Sequence, residues 1–136
     1  MAQYVIEPIG WVESPLADQA TAPKQGYEGA PDAWLVFEPR VREGLRDLGA
    51  GSEVIVLTWL DRADRDVLAV HPRDDPARPL TGVFSTRSQD RPNPVGLHRV
   101  RVLEIDDLRI RVADLEALDG TPIVDVKPVL DPAKER

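Results

Sequence analysis

The stretch VGLHRVRVLEIDDLRIRV, residues 95–112, has the alternation of a β-hairpin and decides the fold class. Val100 and Val102 fall on one face of a first strand, with arginines pointing the other way. Leu103 and Ile105 then take the opposite phase, which predicts a β-bulge near residues 102–103. After an Asp-Asp turn, apolar residues alternate with arginines in the run Leu108, Arg109, Ile110, Arg111 and Val112. The stretch therefore predicts two antiparallel strands that each bury one face.

Four further segments predict strands. Short apolar runs bounded by proline or glycine occur at Tyr4–Ser14, Asp32–Glu38 and Ser52–Asp61, and a last one at Thr121–Leu130. The run at Ser52–Asp61 is apolar enough to be buried on both faces. Many short strands with turn signals between them predict a mainly β fold, and closure into a small single-domain barrel would remove exposed strand edges.

One helix is also predicted, so the expected fold is a small β-barrel with one or two short helices. Pro39 suits a first helical position, and Gly49 follows the segment where a helix would end. Val41, Leu45 and Leu48 between them have helical spacing. Sustained helical periodicity occurs nowhere else in the chain, which keeps the prediction mainly β.

Composition excludes several classes of function. The chain has 136 residues, which suits one domain over residues 1–136. It has no cysteine and only two histidines, His71 and His98, so neither a disulfide framework nor a metal site is expected. No N-terminal signal and no membrane-spanning run is found. We expect a cytoplasmic protein without a metal and without a membrane partner.

The charge of the chain is unevenly distributed. The net charge is −7, which argues against a surface that binds nucleic acid everywhere. Residues 71–101 nevertheless contain six arginines and three aspartates, so this segment is positive within an acidic chain. It could meet an anionic ligand, although an excess of this size also occurs on ordinary solvated surfaces.

The most unusual stretch is FSTRSQDRPNPVGL, residues 84–97. Two prolines restrict their own backbone and that of the preceding residues, so Arg91 and Asn93 lie in a segment with little freedom left to lose. Such a loop could hold Arg87, Arg91 and Asn93 still as a recognition surface. The alternative is a stiff connection in which the arginines pair with carboxylates.

Two other polar clusters have simpler interpretations. EALDGTP, residues 116–122, contains an Asp-Gly pair typical of a tight turn. APKQGYEGAP, residues 22–31, has the composition of a flexible connection. No phosphate-binding glycine motif and no Ser-His-Asp arrangement is recognisable. An adenosine cofactor, if one is bound, would not be held in the Rossmann manner.

Taken in order, these motifs resemble the TrmO/TsaA family, also called YaeB-like proteins. The resemblance rests on TGVFSTRSQDRPNPVGL at residues 81–97 and LDGTPIVDVKP at residues 118–128, with weaker matches at IGWVESP, PKQG and VHPRDD. It implies a β-barrel that binds S-adenosylmethionine near the interface of a homodimer. It also implies methylation of the exocyclic amine of threonylcarbamoyl-adenosine beside the anticodon of tRNA.

The resemblance also implies roles for particular residues. The cofactor site would include Lys24, Gln25, Gly26, Asp61, Arg62, Arg87, Leu97, Leu115, Glu116, Ala117 and Leu118. Asp61 and Arg62 stand where the family tends to have a histidine. Arg87 would hold an anionic group. Asp119 is the candidate for taking up the amine proton, or else it only shapes a turn. Arg91, Asn93 and Thr121 would contact substrate.

The chain also departs from the family pattern. His98 stands where serine is usual, and Val129 stands where an aromatic residue is common. We also expect the additional C-terminal domain of longer members to be absent. That domain could help to hold tRNA, so its absence and the acidic net charge weaken the tRNA assignment. Two alternatives therefore stay open: a methyltransferase of the same fold that acts on a small molecule, and a non-enzymatic barrel that binds an adenosine ligand or a partner protein as a regulator.

Overall fold

The computed structural model describes residues 2–17 and 29–131. The strands within these ranges are β1 (Gly10–Glu13), β2 (Ala33–Phe37), β3 (Glu53–Trp59), β4 (Ala69–Val70), β5 (Thr81–Gly82), β6 (Val95–Asp106), β7 (Arg109–Val112) and β8 (Pro122–Pro128). The 3₁₀ helices are Pro39–Leu45, Pro72–Asp74 and Val83–Ser85. In the described residues no helix is long and apolar enough to cross a membrane.

Six of the strands form a closed barrel in the order β1-β2-β7-β6-β3-β8, which confirms the predicted fold class. All pairings are antiparallel, and β1 closes the ring by pairing Gly10 with Ile123 and Trp11 with Pro122 of β8. Alternate residues point inward to a common core, whose buried members are Val12, Ala33, Leu35, Phe37, Val54, Val56, Val100, Val102, Ile110, Val112, Leu115, Ala117 and Ile123. Closure leaves these six strands without a free edge.

The hairpin predicted over residues 95–112 is confirmed, including its bulge. Val102 pairs with Val112 and Glu104 with Arg111, so Leu103 is the extra residue of β6. Beyond the bulge, Ile105 pairs with the buried Ile110 and so lies on the same face as Val102, although at the end of the strand it is 40% exposed. The change of phase in the sequence therefore offsets the extra residue and keeps the apolar side chains on the inner face.

Two strand predictions need correction. Residues 4–8 do not extend β1, and Tyr4 and Val5 are almost fully exposed, because the described strands β2 and β8 pair with β1 only from Gly10 onward. The strand at residues 52–61 is not buried on both faces. In β3, Val54, Val56 and Thr58 are buried, while the residues between them are half-buried on the outside of the barrel.

The predicted helix is shorter and tighter than expected. It is a 3₁₀ helix that ends at Leu45, and the bonds from Val41 to Glu38 and from Leu48 to Leu45 span three residues. Val41, Leu45 and Leu48 do pack against the barrel core, as the spacing predicted. The chain then turns through Asp47, whose φ is 69°, so regular helical geometry stops before Gly49.

Candidate functional site

A cleft of about 880 Å³ opens where β3 ends and β6 begins. Its lining comes from residues 57, 60–62, 70–74, 85–91, 95–98, 116–118 and 121. Residues of β3 and β6 form the barrel side of the cleft, and the other side comes from the segment between β4 and β5 and from the loop that follows β5. The motif at residues 84–97 and the cluster at residues 116–122, which are distant in sequence, thus meet in one cavity of the size typical of ligand sites.

Hydrogen bonds from arginines to backbone carbonyls fix the loop of residues 83–94. Arg91 donates to the carbonyls of Val83 and Thr86, the second at 2.6 Å. Arg65 donates to Pro92 O at 2.6 Å and to Asn93 Oδ1 at 2.9 Å. The side chains of Arg91 and Asn93 are therefore engaged within the protein. Their predicted contacts with substrate stay a prediction, and Asn93 lies outside the lining of the cleft.

Arg87 differs from the other arginine of this loop. It lines the cleft and is exposed, and the described residues offer its guanidinium no hydrogen-bond or ion-pair partner. A cation that is fixed at its backbone and free at its tip is suited to bind an anionic ligand group, such as a carboxylate or phosphate, in a bidentate way. Arg87 thus lies in the cleft, and its role in holding an anionic group stays a prediction.

A buried chain of hydrogen bonds lies at the floor of the cleft. Thr58 Oγ1 is 2.7 Å from His98 Nε2, and His98 Nδ1 is 2.5 Å from Glu116 Oε1. An ionised carboxylate can only accept, so Nδ1 carries the hydrogen and, in the neutral ring, Nε2 accepts from the threonine hydroxyl. The three residues, a hydroxyl, an imidazole and a carboxylate, have the composition of a nucleophilic triad. Thr58 is fully buried, however, so its hydroxyl cannot attack a substrate.

Gly96 makes room for this chain of hydrogen bonds. A Cβ at residue 96 would lie 2.3 Å from Thr58 Oγ1 and 2.7 Å from His98 Nε2. The sequence patterns assigned no role to Thr58 and marked His98 only as a departure from the family. The signal that could have drawn attention to it was a histidine on the inward phase of a strand that is otherwise valine and glycine.

The remaining predicted cofactor residues are placed in three ways. Asp61, Arg62, Leu97, Ala117 and Leu118 line the cleft, and Arg62 also donates to Ala17 O at 2.9 Å. Leu115 is instead fully buried in the barrel core. Residues 24–26, which carry the predicted Lys24, Gln25 and Gly26, lie outside the described residues.

Asp119 and Thr121 have structural partners. Asp119 Oδ1 accepts from the Ser14 amide at 3.0 Å, and Asp119 is not part of the cleft lining. This placement matches the turn-shaping alternative, and its catalytic role stays a prediction. Thr121 does line the cleft, is buried, and donates to Leu118 O at 2.6 Å. Among the described residues no three His, Asp or Glu side chains cluster as metal ligands do.

These features define the class of the protein as a small closed β-barrel with a polar ligand-binding cleft at one end. A family model for the tRNA-methyltransferase O N-terminal domain matches residues 11–133. The chain therefore belongs to the tRNA-methyltransferase O family, and the resemblance of its motifs to TrmO/TsaA proteins is confirmed.

Individual relatives agree with this assignment. An S-adenosyl-L-methionine-binding protein of Archaeoglobus fulgidus is 41% identical over 124 residues, which cover 90% of this chain and 87% of that protein. A probable S-adenosyl-L-methionine-binding protein of the same organism is 43% identical over 120 residues, covering 88% of this chain and 32% of its own length. The crystal structure of TrmO from Pseudomonas aeruginosa matches with a TM-score of 0.75 at 27% identity, covering 98% of this chain and 59% of that one.

Proposed function

We propose that this protein is an S-adenosylmethionine-dependent N-methyltransferase that acts on the exocyclic amine of threonylcarbamoyl-adenosine in tRNA. The observation that carries the proposal is Arg87, an arginine without an intramolecular partner among the described residues, on a fixed loop at the rim of the cleft. Membership of the tRNA-methyltransferase O family and the likeness to S-adenosylmethionine-binding proteins of Archaeoglobus support the ligand and reaction class.

The residues of the cleft fit S-adenosylmethionine. Its amino-acid carboxylate matches Arg87, and its cationic sulfur suits a cleft that also contains the carboxylates of Asp61 and Glu116. Leu60 and Leu97 supply apolar lining for the adenosine. When bound, S-adenosylmethionine supplies a methyl group on a sulfonium, which an amine can attack without a metal or a covalent protein intermediate.

For such a transfer the protein contributes mainly position. The prolines and the Arg91 bonds hold the loop of residues 83–94, so Arg87 reaches a ligand without a further loss of backbone freedom. Leu60 and Leu97 exclude water from the neighbourhood of the reacting groups. No described side chain of the cleft is required as a nucleophile.

The proposal includes a homodimer and a tRNA partner. Val95 and Leu97 are 39% and 45% exposed on the outer face of β6, beside the half-buried Leu57 of β3. These three residues also line the cleft, so a second copy of the chain on this apolar face would cover it and bound the cleft on that side. The basic segments of residues 71–101 from the two copies would then form one surface for an RNA backbone, and binding should weaken steeply with salt. A tRNA substrate also places the reaction in the cytoplasm.

Calorimetric titration with S-adenosylmethionine, followed by methyl incorporation into tRNA that lacks the modification, tests this proposal. We expect binding and labelling by the natural protein, and loss of binding by about tenfold or more in Arg87→Ala because a charged hydrogen-bond donor is removed. Arg46→Ala, which removes an exposed arginine paired with Glu43 beside the 3₁₀ helix, is the matched control. Absence of binding heat, or full affinity in Arg87→Ala, contradicts the proposal.

A second candidate is a methyltransferase of the same fold that acts on a small molecule. The observation that favours it is the net charge of −7 together with the carboxylates of Asp61, Asp90 and Glu116 in the cleft, which repel a polyanion. Binding heat with S-adenosylmethionine but no labelling of tRNA at low salt would select this candidate. Binding without turnover on any acceptor would instead select a regulator.

A further inference from the structure

Glu116 is held in an unusual way for a carboxylate that lines a ligand cleft. Its side chain is only 16% exposed, and His98 Nδ1 contacts Oε1 at 2.5 Å. Among the described residues Oε2 has no hydrogen-bond partner, although Glu116 faces the cavity. No arginine or lysine of the described ranges pairs with this carboxylate. A negative charge thus lies at the floor of the cleft with only one oxygen satisfied.

The orientation of the Glu116 carboxylate is fixed by His98, which is itself fixed by Thr58. His98 is 5% exposed, and its ring cannot rotate freely because both ring nitrogens are hydrogen-bonded. Nε2 is 2.7 Å from Thr58 Oγ1, and Nδ1 contacts Glu116. Gly96 allows the three groups to approach closely. The hydrogen on Nδ1 holds Oε1, so that Oε2 is the carboxylate oxygen left open to a ligand.

A carboxylate in this position favours a cationic ligand group over a neutral one. It has lost most of its hydration, and the hydrogen bond from His98 engages only Oε1, so Oε2 still lacks a donor among the described residues. In a partly buried site the attraction between opposite charges is several times larger than in water. A neutral group of the same shape gains nothing from that attraction.

We propose that Glu116, positioned by His98 and Thr58, makes this cleft selective for the charge at the sulfur of its ligand. The inference rests on the proposed function, in which the ligand is S-adenosylmethionine. The methyl donor, whose sulfur is cationic, would then bind more tightly than the product S-adenosylhomocysteine, whose sulfur is neutral. Methyl transfer would therefore lower the affinity of the cleft for the ligand that remains in it. Glu116 contacts the ligand in this proposal, whereas His98 and Thr58 are positioning residues.

Calorimetric titration of the full chain with each of these two ligands tests the role of Glu116. In Glu116→Gln we expect the affinity for S-adenosylmethionine to fall at least about tenfold while that for S-adenosylhomocysteine changes less than about twofold. Glu53→Gln removes the same charge from an exposed pair outside the cleft and should change neither affinity. Equal changes for both ligands in Glu116→Gln, or no change, overturn the inference and leave the proposed function standing.

The positioning role of His98 is tested by two amide variants. In His98→Asn the amide nitrogen can stand near the place of Nδ1 and still donate to Glu116, so selectivity should be largely kept. In His98→Gln the amide reaches toward Thr58 instead, and selectivity should fall toward that of Glu116→Gln. Equal selectivity in the two variants contradicts the role of His98, provided that circular dichroism shows both to be folded.

A measurement on the ligand-free protein separates this inference from the proposed function. Nitrogen-15 NMR of His98 should show the hydrogen on Nδ1. In a separate titration with the two ligands, Thr58→Val should reduce the selectivity, because the His98 ring loses its second hydrogen bond. A hydrogen on Nε2 with a bare Nδ1 overturns the inference whether or not a ligand binds. If the natural protein binds neither ligand, the proposed function fails and this inference fails with it.

Discussion

The barrel wall and the loop of residues 83–94 are both rigid, but different forces hold them. In the wall, strand ladders and alternating apolar residues such as Leu35 and Ile110 fix the backbone. In the loop, two prolines and arginine bonds to carbonyls of Val83, Thr86 and Pro92 do so. Stability therefore resides mainly in the wall, whereas the loop leaves the charged tip of Arg87 free for a ligand.

The largest expected effect on stability comes from the wall. Leu35→Ala should lower the free energy of unfolding by about 2–5 kcal/mol, because Leu35 is 1% exposed and its truncation leaves a cavity in the core. Leu80 is 64% exposed, so Leu80→Ala should change the free energy of unfolding by less than about 0.5 kcal/mol. Urea denaturation measures both. Similar losses in the two variants would mean that the core is not packed as described.

An intermediate effect should separate the two arginines of the loop. Arg91→Ala should lower the free energy of unfolding by about 1–3 kcal/mol, because the carbonyls of Val83 and Thr86 lose a partly buried donor. Arg87→Ala should change it by less than about 0.5 kcal/mol, since no described residue depends on this guanidinium. Thermal and urea unfolding of both variants provide the measurement. Equal destabilisation would contradict the division between a structural and a ligand-binding arginine.

The smallest effect is expected at the exposed pair of Glu53 and Arg99. The hydrogen bond from Arg99, and then its charge, hold the pKa of the Glu53 carboxyl below its ordinary value of 4.5. Because the pKa of Glu53 is lower in the folded state, the pair stabilises the fold at pH values above the ordinary pKa of the carboxyl. This contribution is lost as the pH falls through the lowered pKa. Both side chains are exposed, so the effect on stability is small. Carbon-13 NMR should show Glu53 titrating below 4.5 and moving back toward it in Arg99→Ala; an unchanged midpoint would contradict the pair.

Much of the barrel was predictable from local pattern. The alternation around Val100 and the phase change at Leu103 predicted the β6–β7 hairpin and its bulge, because each residue's face follows from its neighbours in sequence. The length of β1 was not predictable in this way. Apolar residues such as Tyr4 and Val5 look like strand, and they are exposed because no strand among the described residues pairs with them.

The candidate site was predicted in part. Arg87 was identified by the stiffness of its loop and by resemblance, and it does line the cleft. Arg91 lies in the same stiff stretch of sequence, yet its guanidinium bonds to the loop itself. Nothing local distinguishes the two, because the difference depends on which carbonyls the folded loop presents.

The sequence by itself determined a mainly β chain, the hairpin of residues 95–112 and the stiff polar loop before it, since these depend on alternation and on the backbone limits of proline. Only the tertiary structure decided which of the two loop arginines is bound within the protein. It also decided that Thr58, His98 and Glu116, from three separate segments, form one hydrogen-bonded chain. Such a hydrogen-bonded network has no spacing signature, because the pairing of β3 with β6 and the path of the segment before β8 bring its members together.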